Sequence, residues 1–270
     1  MRKILLILSI LCFGALSFGN EINTLNKSYT GDQIKDLSLE LVNGDIHIIS
    51  SEDNNFKIEM TSKNKISYIE KKDRKSHEYN IEIKPLKEKT LFNKEGKIDI
   101  TISIPTNNSR NISIETVNSK IDIISVKANL DIDLVNGEIN IKNLDGNFFA
   151  ETVNAPIHID GLTGTTEIET VNGNINGKNI NKIGDIESVR SSITLMGNEL
   201  LGGSQLESVI GNIDLKINEI GGGNNITTVI GEVSLNVKNT KKIKKYDDVY
   251  NLDGRKIVIE TMIGEINVNK

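Results

Sequence analysis

One five-residue string returns along this chain at a nearly constant interval. Glu115-Thr116-Val117-Asn118-Ser119 recurs as Asp133-Leu134-Val135-Asn136-Gly137, as Glu151-Thr152-Val153-Asn154-Ala155 and as Glu169-Thr170-Val171-Asn172-Gly173. It continues in altered form around Val189, Val209, Val229 and Met262, and an early copy stands at Glu40-Leu41-Val42-Asn43-Gly44, which makes nine copies. From Val117 to Val189 each step is 18 residues, and the next two steps are 20. A short fixed period confines the fold to a repeat architecture in which each unit packs only on its neighbours.

The pattern inside each unit selects the type of repeat. Four residues after each Val, the column reads Ile46, Ile121, Ile139, Ile157, Ile175, Ile193, Ile213, Val233 and Ile266, β-branched in every copy. Segments such as Ile112-Ser113-Ile114-Glu115 before the motif and Ile121-Asp122-Ile123 after it alternate with period two, which is strand patterning. Two short strands per unit, separated by Asn-Gly-like turns, describe one coil of a β-solenoid. The predicted fold is therefore all-β, a single-domain parallel β-solenoid with coils of 18–20 residues. Strict alternation would bury the Thr and expose the Val of each motif; the expectation is that a corner or bulge resets the phase there, the alternative being an exposed Val column covered by something else.

Composition supports this reading. Of 270 residues, 37% are hydrophobic but only 4% aromatic, with no Trp, so the core must be aliphatic. Few stacking rings and a net charge of −5 argue against a nucleic-acid partner, and a single Cys excludes a disulfide framework. That Cys12 lies in an apolar run, Ile4 to Leu16, preceded by Arg2 and Lys3 and followed by Ser17-Phe18-Gly19. Residues 1–19 thus have the pattern of a signal peptide, with cleavage after Ser17 or Gly19, and residues 20–270 form the solenoid domain. The run is short of the ~20 residues a bilayer span requires. Ser9-Ile10-Leu11 lacks the small residue that lipid attachment at Cys12 would want. The expectation is export to the periplasm, cell surface or medium, with no transmembrane anchor in the mature chain.

Two stretches interrupt the period, one between the first two copies and one between the last two. The first contains the alternating segments 56–60, 79–83 and 98–105 and is expected to form larger coils with a protruding hairpin or loop. Residues 63–97 carry 11 basic and 6 acidic side chains, and 238–256 carry 7 against 3. The repeat body, 98–237, carries 8 basic and 18 acidic side chains. These basic insertions are chemically distinct from the scaffold; inserted loops often carry the binding function of a solenoid, yet Lys-rich loops are more commonly ordinary solvated faces.

Candidate chemistry is sparse. Glu40, Glu115, Asp133, Glu151, Glu169, Glu187, Glu207, Thr227 and Glu260 occupy one column, a row of stacked acids that would be either a cation ladder or a solvated stripe. Asn118, Asn136, Asn154 and Asn172 suit a structural amide ladder. Gly221-Gly222-Gly223-Asn224-Asn225 is similar to a calcium β-roll turn but has no Asp. His47 and His158 share a repeat position in coils too far apart for joint metal binding, and His77 stands alone among lysines. No nucleophile triad or phosphate loop is visible, so no catalytic, cofactor-binding or metal-ligating residues are assigned and no cofactor is expected.

With the Glu-Thr-Val-Asn-Gly-x-Ile repeat, preceded by Ile100-Thr101-Ile102-Ser103-Ile104-Pro105, the chain resembles the bacterial putative adhesin family of β-strand-repeat proteins over roughly residues 35–270. The resemblance implies an exported β-solenoid and carries no functional residues with it. The expected role is non-catalytic: an adhesin or a cell-envelope interaction or structural protein that binds a protein or glycan surface ligand. Self-association at the solenoid ends is a further expectation. The alternative is a carbohydrate-active enzyme built on a β-helix, since a solenoid wall can present paired carboxylates.

Overall fold

The computed structural model describes residues 23–31, 33–62, 66–72, 79–85, 97–107, 109–246 and 249–270. The signal-peptide pattern, Cys12, His77 and parts of the 63–97 insertion lie outside the described residues. Strands account for nearly all of what is described, and they are parallel from coil to coil through the repeat body.

The coils are built from β2 (Ile34–Asn43) and β3 (Ile46–Ser51), then β8 (Arg110–Ile124), β9 (Ala128–Leu144), β10 (Phe148–Asn154), β11 (Ile157–Asn172) and β12 (Ile175–Arg190). The longer strands turn a corner in mid-course and so contribute to both sheets of the solenoid. After them come β13 (Ile193–Leu200), β14 (Gln205–Ile210), β15 (Ile213–Ile220), β16 (Asn224–Ile230), β17 (Val233–Val237), β20 (Arg255–Ile263) and β21 (Ile266–Asn269). Equivalent residues pair at the spacing of the sequence period: Glu115 with Asp133, Asp133 with Glu151, Glu169 with Glu187, and then Glu187 with Glu207 at an offset of 20. Across the long first gap, Glu40 pairs directly with Glu115 and Ile46 with Ile121. The parallel β-solenoid expected from the repeat is the observed fold.

Register places like residues on like. In the β-branched column, Ile46, Ile121, Ile139, Ile157, Ile175, Ile193, Ile213 and Val233 are all fully buried, forming a continuous aliphatic spine. The narrow interior explains the shortage of aromatics. The fully buried rings among the described residues are Phe148 and, at the N-terminal end, Phe56.

The interrupting segments extend the sheets. β6 (Tyr79–Pro85) pairs parallel with β2, and β7 (Ile98–Pro105) pairs parallel with β3, so together they add one more coil on the far side of the first copy. The first copy in sequence is therefore the second layer in space. Antiparallel strands close this end: β5 (Ile66–Lys72) on β6, β4 (Asn55–Ser62) on β7, and β1 (Asn23–Thr30) on β4. At the other end, β18 (Ile243–Tyr246) and β19 (Val249–Leu252) form an antiparallel hairpin on β20. The described strands of both insertions are sheet edges rather than projecting loops.

Arg110 ties the N-terminal cap to the repeat body. It is 3% exposed, and its guanidinium donates to the carbonyls of Ile34, Pro105 and Gly31 while lying 5.9 Å from the Phe56 ring centroid. One side chain thus satisfies three carbonyls where the chain re-enters the regular coils.

Two corners define each coil. Just after the Val-Asn pair, Gly137 and Gly173 adopt φ of 146° and 140°. A Cβ on Gly137 would lie 1.8 Å from the Ser119 carbonyl oxygen of the preceding coil. Ser119, Ala155 and Ser191 occupy the same column with their side chains buried, so the corner alternates between two backbone solutions. At the opposite corner Ser125, Asn143, Gly161 and Asn179, spaced by 18, all have positive φ of 54° to 93°. In the later coils the two extra residues are absorbed at a further corner, between β13 and β14 and between β15 and β16, in Gly202-Gly203 and Gly222-Gly223. Asn224, fully buried, accepts from the Ser204 N–H and donates to the Gly221 carbonyl. The glycine-rich segment that looks like a calcium turn is this corner.

Two substitutions test these assignments by denaturant titration. Arg110→Ala should cost about 3 kcal/mol, since three buried carbonyls lose their donor. Gly137→Ala should cost at least ~2 kcal/mol through backbone strain, whereas Ala155→Gly in the same column should cost about 1 kcal/mol or less.

Candidate functional site: a valine and carboxylate groove

Alternation runs through the motif without a reset. Thr116, Leu134, Thr152, Thr170, Ser188, Ser208 and Thr228 are 1–6% exposed, whereas Val117, Val135, Val153, Val171, Val189, Val209 and Val229 are 37–45% exposed. This corrects the expectation that a corner or bulge turns the Val inward. In the later coils corner chemistry favours this arrangement. Ser208 Oγ donates to the Ser191 carbonyl, Thr228 Oγ1 to the Gly211 carbonyl and Thr261 Oγ1 to the Gly231 carbonyl, each at 2.9 Å. Thr152 Oγ1 donates to Thr170 Oγ1 at 2.7 Å in the same buried column. Inward hydroxyls satisfy corner carbonyls that the ladder leaves over, and their neighbours in sequence must then face out.

The outward Val column and the acid column two residues before it wall a shallow groove of about 790 Å³, floored by the Thr/Ser positions. From Glu40 to Glu207 seven carboxylates follow one another on adjacent coils. At about 4.8 Å per coil that is a run of roughly 29 Å. All are exposed, and among the described residues none has an ion-pair partner. Asp133, between Glu115 and Glu151, has its carboxyl pushed above the usual carboxylate range, first by partial burial and then by Glu151, Asp131 and Glu115.

The far border of the groove changes along its length. Asn136 Nδ2 donates to Asn118 Oδ1 at 3.0 Å, Asn154 to Asn136 at 2.9 Å and Asn172 to Asn154 at 3.0 Å, with Asn118 donating to Asn43 below. The expected amide ladder is present. Beyond Asn172 its place is taken by Arg190 and then by Ile210, Ile230 and Ile263, which are 43%, 45% and 60% exposed. The groove is edged by amides in its first half and by aliphatics in its second.

The opposite sheet differs. A shallower depression there, about 610 Å³, includes Ile124, Lys142, His158, Asp160, Lys178 and Met196. Two of its charges are paired with each other: Lys178 Nζ lies 3.0 Å from Asp160, whose carboxyl is held below its ordinary value chiefly by that contact. His47 faces Asp122 at 3.2 Å, and Asp122 and Asn140 stand between it and His158, so the two imidazoles are about 14 Å apart along the stack. Among the described residues no His, Cys, Asp and Glu side chains group as metal ligands. The exposed Val column is the less favoured of the two readings that the sequence left open; a row of Thr and Ser one residue before it was the available signal for intact alternation.

No protein-family model matches the chain, and no curated protein matches it in sequence. Among solved structures it is similar to a "putative cell adhesion protein" from Clostridium sporogenes, at 12% identity over 92% of this chain and 99% of that one, with a TM-score of 0.34. It is also similar to a "putative adhesin" from Bacteroides fragilis, at 15% identity over 92% and 97% of the two chains, with a TM-score of 0.44. A third, a "putative lipid binding protein" from Parabacteroides distasonis, is 14% identical over 92% and 96%, with a TM-score of 0.31. No helix among the described residues is long and apolar enough to cross a membrane.

The crowding of the acid column has a pH signature. Because the Asp133 pKa is raised in the folded protein, its stabilising contribution is complete only below the unfolded-state value and is lost as pH rises through the folded one. Asp133→Asn should therefore raise the denaturant midpoint above wild type at pH 7, with the difference shrinking towards pH ~4. Asp45 and Asp160, both lowered by lysine contacts, act with the opposite sign in both proteins and cancel in the comparison.

Proposed function

We propose that the chain is an exported, non-catalytic β-solenoid that serves as an adhesin-type or cell-envelope interaction surface, with the valine and carboxylate groove as its contact face. One observation carries the reading. An aliphatic residue is repeated on the outer wall in coil after coil, where the core has no use for it, beside carboxylates with no partner among the described residues. A continuous apolar strip with a polar border is the surface signature of a binding site. The strip runs the length of the repeat body, which suits an extended surface ligand, protein or glycan, better than a small molecule. The N-terminal pattern supports export to the periplasm, cell surface or medium, and the resemblance of the motif to the adhesin family points the same way.

The mature chain, immobilised, should retain components of host-surface or envelope extracts, and Val153→Lys/Val171→Lys should abolish retention with an unchanged thermal midpoint. Retention equal to wild type in that variant would remove the groove from the reading. The enzymatic alternative makes Asp133, with its raised pKa beside Glu115 and Glu151, the acid of a glycosidase pair. Release of sugar from a polysaccharide panel, lost in Asp133→Asn, would replace the proposal.

A further inference from the structure

Apart from Arg190 at its border, the groove holds no counter-charge among the described residues, and the same molecule displays further cations elsewhere. In the β18–β19 hairpin, Lys241, Lys242 and Lys244 are exposed and have no ion-pair partner among the described residues. Their backbone is held in place: the N–H groups of Lys241 and Lys242 donate to the Asp253 carboxylate at 2.7 and 2.9 Å, and Lys245 sits 5.2 Å from the Tyr250 ring centroid. The hairpin therefore presents a fixed cationic edge, anchored by Ile243, which packs against the core between the outward lysines. That is an extended edge bearing cations, the charge complement of an acidic groove.

These lysines cannot reach the groove of their own molecule. β18 is four strands beyond β14, which carries Glu207, through β16, β20 and β19. At about 4.8 Å per strand the separation is roughly 19 Å, beyond the reach of a four-carbon side chain, and the carboxylates from Glu187 back to Glu40 are further still. Elsewhere on the surface, lysines and acids of adjacent layers pair within the molecule, as Lys97 does with Asp45 and Asp99 and Lys178 with Asp160. The acid ladder and the hairpin lysines are among the like-charged groups that such pairing leaves over among the described residues.

We infer that the partner of the groove is a second copy of this chain, which lays its β18–β19 hairpin edge against the carboxylate and valine columns. The inference rests on the groove being an interaction face and names its occupant. Hairpin and groove are different surfaces, so the contact is heterologous: each molecule that donates a hairpin keeps a free groove, and each that accepts one keeps a free hairpin. Association then grows into a series of oligomers rather than stopping at a dimer.

Sedimentation velocity of the mature chain over a concentration series tests this. At about 0.05 M salt the weight-average coefficient should climb with concentration, and at about 1 M salt the climb should vanish, because the contact is charge-driven and solvent-exposed. Glu151→Lys/Glu169→Lys and Lys242→Glu/Lys244→Glu should each be monomeric alone, and an equimolar mixture of the two should associate again, because the reversed charges are complementary. Restoration in the mixture cannot come from misfolding of either variant. A wild-type chain that stays strictly monomeric at low salt, or association that neither variant weakens, overturns the inference. If the monomeric chain still retains surface components through its Val column, the interaction-face reading survives and only the second copy as occupant is lost.

Discussion

Coil-to-coil hydrogen bonding governs everything else in this molecule. Away from the corners, the backbone N–H and C=O groups of a coil are satisfied by the coil above or below, at a spacing of about 4.8 Å, so a residue at one repeat position must stack on its counterparts. For Ile at the inward positions this is favourable, because identical branched side chains fill a uniform interior. For Asn it is also favourable, since each amide donates to the one before it. For Glu it is not: like charges are stacked along the whole row, and at Asp133 partial burial, followed by the charges of Glu151, Asp131 and Glu115, raises the pKa. The fold tolerates the row because it faces water, where screening reduces each repulsion to about 1 kcal/mol.

Much of this could be taken from the order of residues. A spacing of 18 and then 20, with a β-branched residue four places after each Val, specifies coil length, strand polarity and the members of the spine. The outward direction of the Val was harder. A hydrophobic residue so regular invites a place in the core, and the competing demand, a hydroxyl needed inside to satisfy corner carbonyls, is apparent only once the corner is built. Arg110 was equally hidden. Its three acceptors come from Gly31, Ile34 and Pro105, brought together only when the first interruption folds back beneath the first copy.

The same stacking rule explains why the interruptions sit at the ends. A parallel solenoid exposes open strand edges at its terminal layers, and these would pair with any other edge. At the N-terminal end the extra coil and three antiparallel strands stand outside the first copy; at the other, β18 and β19 stand outside β20. Lysine is a favoured residue for such edges because it discourages pairing by backbone hydrogen bonds. An edge protected in this way becomes a cationic surface, so the segregation of charge between insertions and body follows from where each lies in the stack.

Outward columns are the one part of a solenoid that its folding leaves free to vary, and what fills them is therefore informative. Inward, the spine keeps Ile or Val from the first coil to the last, but outward the row beside the Val changes from Asn to Arg190 and then to Ile210, Ile230 and Ile263. The change falls where coil length passes from 18 to 20. The extra residues are taken up at a further corner, by Gly202-Gly203 and Gly222-Gly223, so altered geometry at the near corner does not force the substitution. The Val column and, up to Glu207, the acid column continue unchanged across this boundary. A feature that persists where folding does not require it, next to one that drifts, is better explained by what the groove contacts than by what holds the coils together.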